Sequence, residues 1–114
     1  MKIEAYSFGR IIVDGREYHS DVIIHPDRVE NNWWRREGHR LAMEDLSAVL
    51  ADPPEVLVIG TGHDGRMMVP VDTLKRLRAG EIKVVVDRTG DAVEEFNRLA
   101  SKHQRIVAAL HLTC

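Results

Sequence analysis

The segment that most constrains this chain is Val56-Leu57-Val58-Ile59, four apolar residues running straight into Gly60-Thr61-Gly62-His63-Asp64-Gly65. A short run with no polar alternation is the signature of a strand buried on both faces, which in turn requires layers above and below it. The next residues fit this. Pro70 suits a helix start, Val71, Leu74 and Leu77 form an apolar stripe, and Gly80 is placed to end the helix before Ile82-Lys83-Val84-Val85-Val86. This is a βαβ unit, and it predicts parallel strands joined by a right-handed crossover.

The flanks extend the unit into a domain. Arg10-Ile11-Ile12-Val13 and Arg16-Glu17-Tyr18-His19 enclose Asp14-Gly15, a two-residue hairpin signal in which both turn residues need positive φ. Asp21 to His25 is a further strand stopped by Pro26, Trp33 to His39 a short strand or loop, and Met43 to Leu50 a helix ended by Asp52-Pro53-Pro54. Thr89 or Asp91 is placed to cap a second long helix with Ala92, Val93, Phe96, Leu99 and Ala100 on one side, and Arg105 to Thr113 is a final strand too apolar to be a loose tail. The expected fold is α/β: one domain spanning 1–114, with three layers, a mixed central β-sheet, helices on its faces and an N-terminal antiparallel hairpin region. The chain of 114 residues is long enough for one core without staples.

Composition narrows the functional classes. A net charge of −2 does not favour general nucleic-acid binding, and no apolar run approaches the ~20 residues of a membrane-spanning helix. The start, Met1-Lys2-Ile3-Glu4-Ala5, shows no apolar signal core. The single cysteine, Cys114, excludes an intrachain disulfide and suits a reducing compartment, so the expected location is cytoplasmic.

Chemistry has few footholds. The Gly60–Gly65 loop sits where open α/β sheets bind ligands, and Gly60 and Gly62 would let N–H groups approach an anion. With Thr61, His63 and Asp64, and with Arg35 or Arg36 folded over the edge, it is the candidate ligand site. Without the P-loop's lysine, it would hold a small oxyanion only weakly, with about 4 kcal/mol. The competing reading, favoured here, is a tight turn whose glycines hold positive φ. Trp33, Trp34, Arg35, Arg36, His39 and Arg40 could stack and pair with nucleic acid, yet tryptophans covering the sheet explain them more simply. His19, His25, His39, His63, His103 and His111 are scattered with no metal-ligand spacing, so no metal and no cofactor are expected. Cys114, Ser7, Thr61 and Thr113 lack the surroundings of an activated nucleophile, so no catalytic residue is assigned.

Taken together, Ser7-Phe8-Gly9, Asp14-Gly15 before Tyr18, Asp21-Val22, Trp34-Arg35, Gly38-His39, Val58-Ile59-Gly60-Thr61-Gly62, Thr89, Ala92, Phe96-Asn97, Leu99 and His111-Leu112-Thr113-Cys114 give the chain its likeness to a known family. It resembles the family of the adipogenesis-associated Mth-domain proteins and the related mitochondrial complex I assembly factor. The resemblance runs from Ser7 to Cys114. It implies a three-layer α/β domain, carries no established catalytic residues, and points to a partner-dependent role. The expected function is therefore a small non-enzymatic binding or assembly-type module with a protein partner. The alternative is a small-molecule, oxyanion-binding protein or enzyme using the Gly60–Gly65 loop. Self-association is left open by the sequence.

Overall fold

The computed structural model describes residues 1–103 and 105–114. Its centre is a five-stranded mixed sheet in the order β5-β4-β8-β6-β7, built from β4 (Val22–Ile24), β5 (Val29–Glu30), β6 (Val56–Gly60), β7 (Lys83–Asp87) and β8 (Ile106–Leu110). β6 is parallel to both β7 and β8, whereas β4 runs antiparallel to β8. β6 is buried throughout, as its unbroken apolar run requires.

The two faces are covered by different parts of the chain. Val56 and Val58 of β6 and Ile106, Ala108 and Leu110 of β8 join a core with α3 (Thr89–Ala100), through Ala92, Val93, Phe96 and Leu99. Leu57 and Ile59, with Val107 and Ala109, join the opposite core beneath α2 (Val71–Ala79) and beneath a 3-10 turn at Met43–Leu46 that runs into α1 (Ser47–Leu50). The period-2 alternation of a strand sends neighbouring side chains to these two cores. The crossover β6–α2–β7 steps outward and β7–α3–β8 steps back past β6, so two connections of the same hand must use opposite faces.

The N-terminal hairpin region is a separate three-stranded antiparallel sheet of β1 (Ile3–Ser7), β2 (Arg10–Val13) and β3 (Arg16–Tyr18). Its turn residues Asp14 and Gly15 hold φ of 47° and 79°, as the Asp-Gly pair predicts. This sheet contributes Ile3, Ile11 and Val13 to the α3-side core. Asn97 of α3 ties it down, donating to the Ile3 carbonyl at 2.7 Å and accepting the Ile3 N–H at 3.0 Å.

Local details differ from the sequence reading. Val71 is largely exposed, and α2 instead buries Thr73 and Leu77 with Leu74 half-buried, so its inward face is turned off the expected stripe. Gly80 ends α2 with an ordinary negative φ, and the left-handed residue is Glu81 at φ 63°. Neither Thr89 nor Asp91 caps α3 with its side chain: the Thr89 hydroxyl is engaged across the sheet edge, between Gly62 and His111. No helix among the described residues is long and apolar enough to cross a membrane.

Candidate functional site

β6 and β7 are adjacent parallel strands whose following helices lie on opposite faces, so the loops leaving them diverge. Open α/β sheets bind ligands at such a point, outside the carboxyl ends of the strands. Here a recess of about 440 Å³ occurs at that edge, lined by Tyr6 and Ser7 from the end of β1, Phe8 from the β1–β2 turn, His63 from the glycine loop, and Arg88, Gly90 and Asp91 from the start of α3. The volume lies in the range of small-ligand sites.

The glycine loop itself is already engaged. Thr61 N–H donates to the Asp87 carbonyl, His63 N–H to Thr113, Gly65 N–H to Gly62, Arg66 N–H to Cys114 and Met67 N–H to Thr61. Gly62 N–H donates to the Thr89 hydroxyl at 2.8 Å, and that hydroxyl donates in turn to the His111 carbonyl. Of the loop residues beyond Gly60, only the Asp64 N–H finds no acceptor among the described residues. The loop's concave side is therefore filled by the carbonyls of Thr113 and Cys114, not offered to an anion. Gly62 (φ 110°) and Gly65 (φ 74°) hold positive φ. Gly60 serves close packing instead, since a Cβ there would lie 2.8 Å from both Leu110 Cδ2 and the Thr89 hydroxyl.

The other site residues read from the sequence are spread apart. His63 and Asp64 project from the loop, more than half exposed and 3.3 Å from each other. The His63 ring meets Phe8 edge-on at 5.7 Å. Arg36 lines a different recess with Trp33, Trp34 and Glu44, and its N–H donates to Asp45. Arg35 is buried, stacks its guanidinium 4.7 Å over the Trp33 ring, and donates to the Gly38 carbonyl. Trp33 is core, with its indole N–H on the Asp45 carbonyl, while Trp34 is 75% exposed. The Trp-Arg cluster is thus not one surface.

Arg35 is held by a buried network that sequence reasoning does not assemble. Arg35 Nη1 lies 2.8 Å from Asp21 Oδ2, off the hydrogen-bonding angle, so this contact is an ion pair rather than a directed bond. His111 Nδ1 is 2.8 Å from the same oxygen and 3.1 Å from Arg35 Nη2. One nitrogen cannot donate to the first and accept from the second. The shorter contact and the Asp21 charge assign the proton to Nδ1, and Arg35 Nη2 is then satisfied by Gly38 at 2.9 Å. Asp21 Oδ1 accepts the Leu112 N–H at 2.7 Å. Burial pushes the Asp21 carboxyl up, but the His111 hydrogen bond, the Leu112 N–H and Arg35 together outweigh it and hold it below the usual range. The network clamps the end of β8 to the start of β4.

The recess residues that sequence reasoning misses are Tyr6, Phe8, Arg88, Gly90 and Asp91. Phe8 carries a usable signal, being a large apolar residue directly before a turn glycine. Phe8 is 54% exposed. Arg88 has no ion-pair partner among the described residues. Tyr6 donates its hydroxyl to the Leu112 carbonyl at 2.9 Å, and burial, with Asp21 and Asp64 nearby, pushes its pKa up to about 12.

Comparison with known proteins gives one family and a consistent fold. The family described as Protein of unknown function (DUF498/DUF598) matches residues 3–111. A conserved hypothetical protein of Pyrococcus horikoshii is similar at 31% identity over 100% of both chains, with a TM-score of 0.82. A Bartonella henselae protein described as an outer membrane protein is similar at 28% identity over 98% of this chain and 94% of that one, TM-score 0.80. A Bordetella pertussis protein described as a Mth938-like domain shares the fold at 22% identity over 97% and 85% of the two chains, TM-score 0.69.

Proposed function

This chain belongs to the DUF498/DUF598 family of proteins of unknown function, and from that premise we propose that it is a non-enzymatic binding module of assembly type, acting on a protein partner in the cytoplasm through the recess between the β1–β2 turn and the start of α3. The observation that carries this reading is Phe8, more than half exposed and lining the recess together with Arg88. An exposed aromatic and a guanidinium without an ion-pair partner among the described residues, lining one recess, fit a partner segment presenting an apolar side chain and a carboxylate. The engaged N–H groups of the glycine loop support the same reading, because they leave an oxyanion few donors inside the loop.

The second reading, a weakly bound small oxyanion, is favoured by Arg88 and by the Gly90 and Asp91 N–H groups at the first turn of α3, with Asp91 and Asp64 opposing it. It moves the site from inside the loop to its outer wall.

One experiment addresses both. Immobilised wild type, Phe8→Ser, Arg88→Glu and a Trp34→Ser control are compared for capture from cell extract, and any captured protein is then purified and titrated directly. A partner lost with Phe8→Ser and Arg88→Glu but kept with Trp34→Ser supports the module. Identical capture by all four proteins overturns the recess as its surface. In parallel, amide shifts on titration with phosphate, clustered at Gly90 and Asp91 and absent in Arg88→Glu, would support the oxyanion reading instead.

A further inference from the structure

The central sheet ends on β7, and the outer edge of β7 is open. Lys83 N–H donates toward β6, to the Glu55 carbonyl, and the Asp87 carbonyl accepts from Thr61 on the same side. Alternation along the strand therefore turns the N–H and C=O of Val84 and Val86 outward. Among the described residues, no backbone group from elsewhere in the chain bonds to either of them. Val86 is also 36% exposed, so the strand presents apolar surface as well as unpaired backbone. An uncovered edge of this kind is a template for another strand.

The sequence of the edge is its own complement. We propose that β7 pairs antiparallel with β7 of a second copy of this chain, about a twofold axis passing between the two Val85 residues. In that register Val84 stands opposite Val86 of the second copy, and these are the residues whose backbone groups point outward. The twofold axis makes two such pairs, and each exchanges both backbone hydrogen bonds. Lys83 then stands opposite Asp87 of the second copy, and Asp87 opposite its Lys83, so opposite charges flank the apolar centre at both ends. Lys83, Val85 and Asp87 share the α3 face, while Val84 and Val86 share the α2 face, where Val86 gains an apolar cross-strand neighbour. A one-residue slip would put inward-pointing backbone groups opposite outward ones, and a two-residue slip would lose the Lys–Asp pairs, so only this register satisfies both backbone and charge. The contact is isologous and closes at two copies, giving a continuous sheet across the dimer. It rests on β7 alone and is independent of the recess at Phe8.

Lysine on an edge strand also serves to repel other strands, and the two roles predict opposite results. The test is sedimentation equilibrium of the full chain from micromolar to about 1 mM, with the fold of each variant checked by circular dichroism. The dimer predicts a concentration-dependent rise from 13.0 kDa toward twice that mass. Lys83→Asp and Asp87→Lys, each placing like charges opposite, should weaken association about tenfold or more, and the double reversal K83D/D87K should restore it to within about threefold. Val86→Pro removes an outward N–H that the monomer does not use, so it should keep the fold and abolish the dimer. A monomer at all concentrations overturns the proposal. So does a dimer whose single charge reversals associate like wild type, because its interface would then lie elsewhere.

Discussion

A Cβ placed on Gly62 would lie 2.5 Å from the carbonyl carbon of Cys114, closer than any real side chain can sit. The glycine loop and the segment after β8 are thus packed backbone against backbone. This close approach, together with a φ of 110°, explains the glycine better than an anion does.

Gly62→Ala should accordingly destabilise the fold by about 2–4 kcal/mol, combining a disfavoured φ with displacement of Thr113 and Cys114. For a domain of this size that is a fall in Tm of roughly 10–20 °C, measurable by differential scanning calorimetry. An unchanged Tm would mean that the segment after β8 detaches at little cost.

Gly90 supplies the opposite case. It lies in the first turn of α3, with negative φ, and beyond its chain neighbours and the helix's own backbone nothing lies within 4 Å of the place a Cβ would take. Gly90→Ala should therefore stabilise the protein by about 0.5–1 kcal/mol, by removing conformational freedom from the unfolded chain. The readout is the midpoint of urea unfolding at unchanged slope.

Thr89 is the hinge between the loop and β8, accepting from Gly62 N–H and donating to the His111 carbonyl while wholly buried. Thr89→Val keeps the shape but leaves both partners unsatisfied, which should cost about 2–4 kcal/mol. Thr89→Ser keeps the hydroxyl and loses one methyl, so it should cost about 1 kcal/mol. Equal losses for the two variants in chemical denaturation would assign the position to packing rather than to hydrogen bonding.

These particular residues show what is legible in the sequence. The βαβ unit at the centre is readable because its signals are local: an apolar run, a glycine loop and a helix-to-strand punctuation within about one crossover length. The Asp14-Gly15 turn is readable for the same reason. The inward face of α2 is not, because Val71, Leu74 and Leu77 satisfy a helical stripe as well as Thr73 and Leu77 do, and only packing on the sheet decides which side turns in. The glycine loop reads as a turn, but its use cannot be seen in the sequence. Its partners Thr89, Thr113 and Cys114 lie far along the chain and meet it only through strand order. The Asp21–Arg35–His111 network is illegible for the same reason: Asp21 and His111 are separated by 90 positions, and no spacing rule connects them.

Asp21 sets the expected pH dependence. The His111 hydrogen bond, the Leu112 N–H and Arg35 hold its carboxyl below the usual range despite burial. A depressed folded-state value means that the carboxylate stabilises the fold at pH values above its unfolded value, near 4, and that this stabilisation is lost as pH falls through the lower folded value. Asp21→Asn leaves the Arg35 guanidinium buried without its counter-charge, so at neutral pH it should cost about 3–5 kcal/mol. The difference between wild type and Asp21→Asn should then shrink as pH is lowered below about 4, because the wild-type carboxyl becomes neutral like the amide. Urea unfolding of both proteins at a series of pH values from neutral to strongly acidic measures this. A gap that stays constant across the series would show that the charge of Asp21 contributes nothing to it, and that the loss comes from the geometry of the hydrogen bonds to His111 and Leu112.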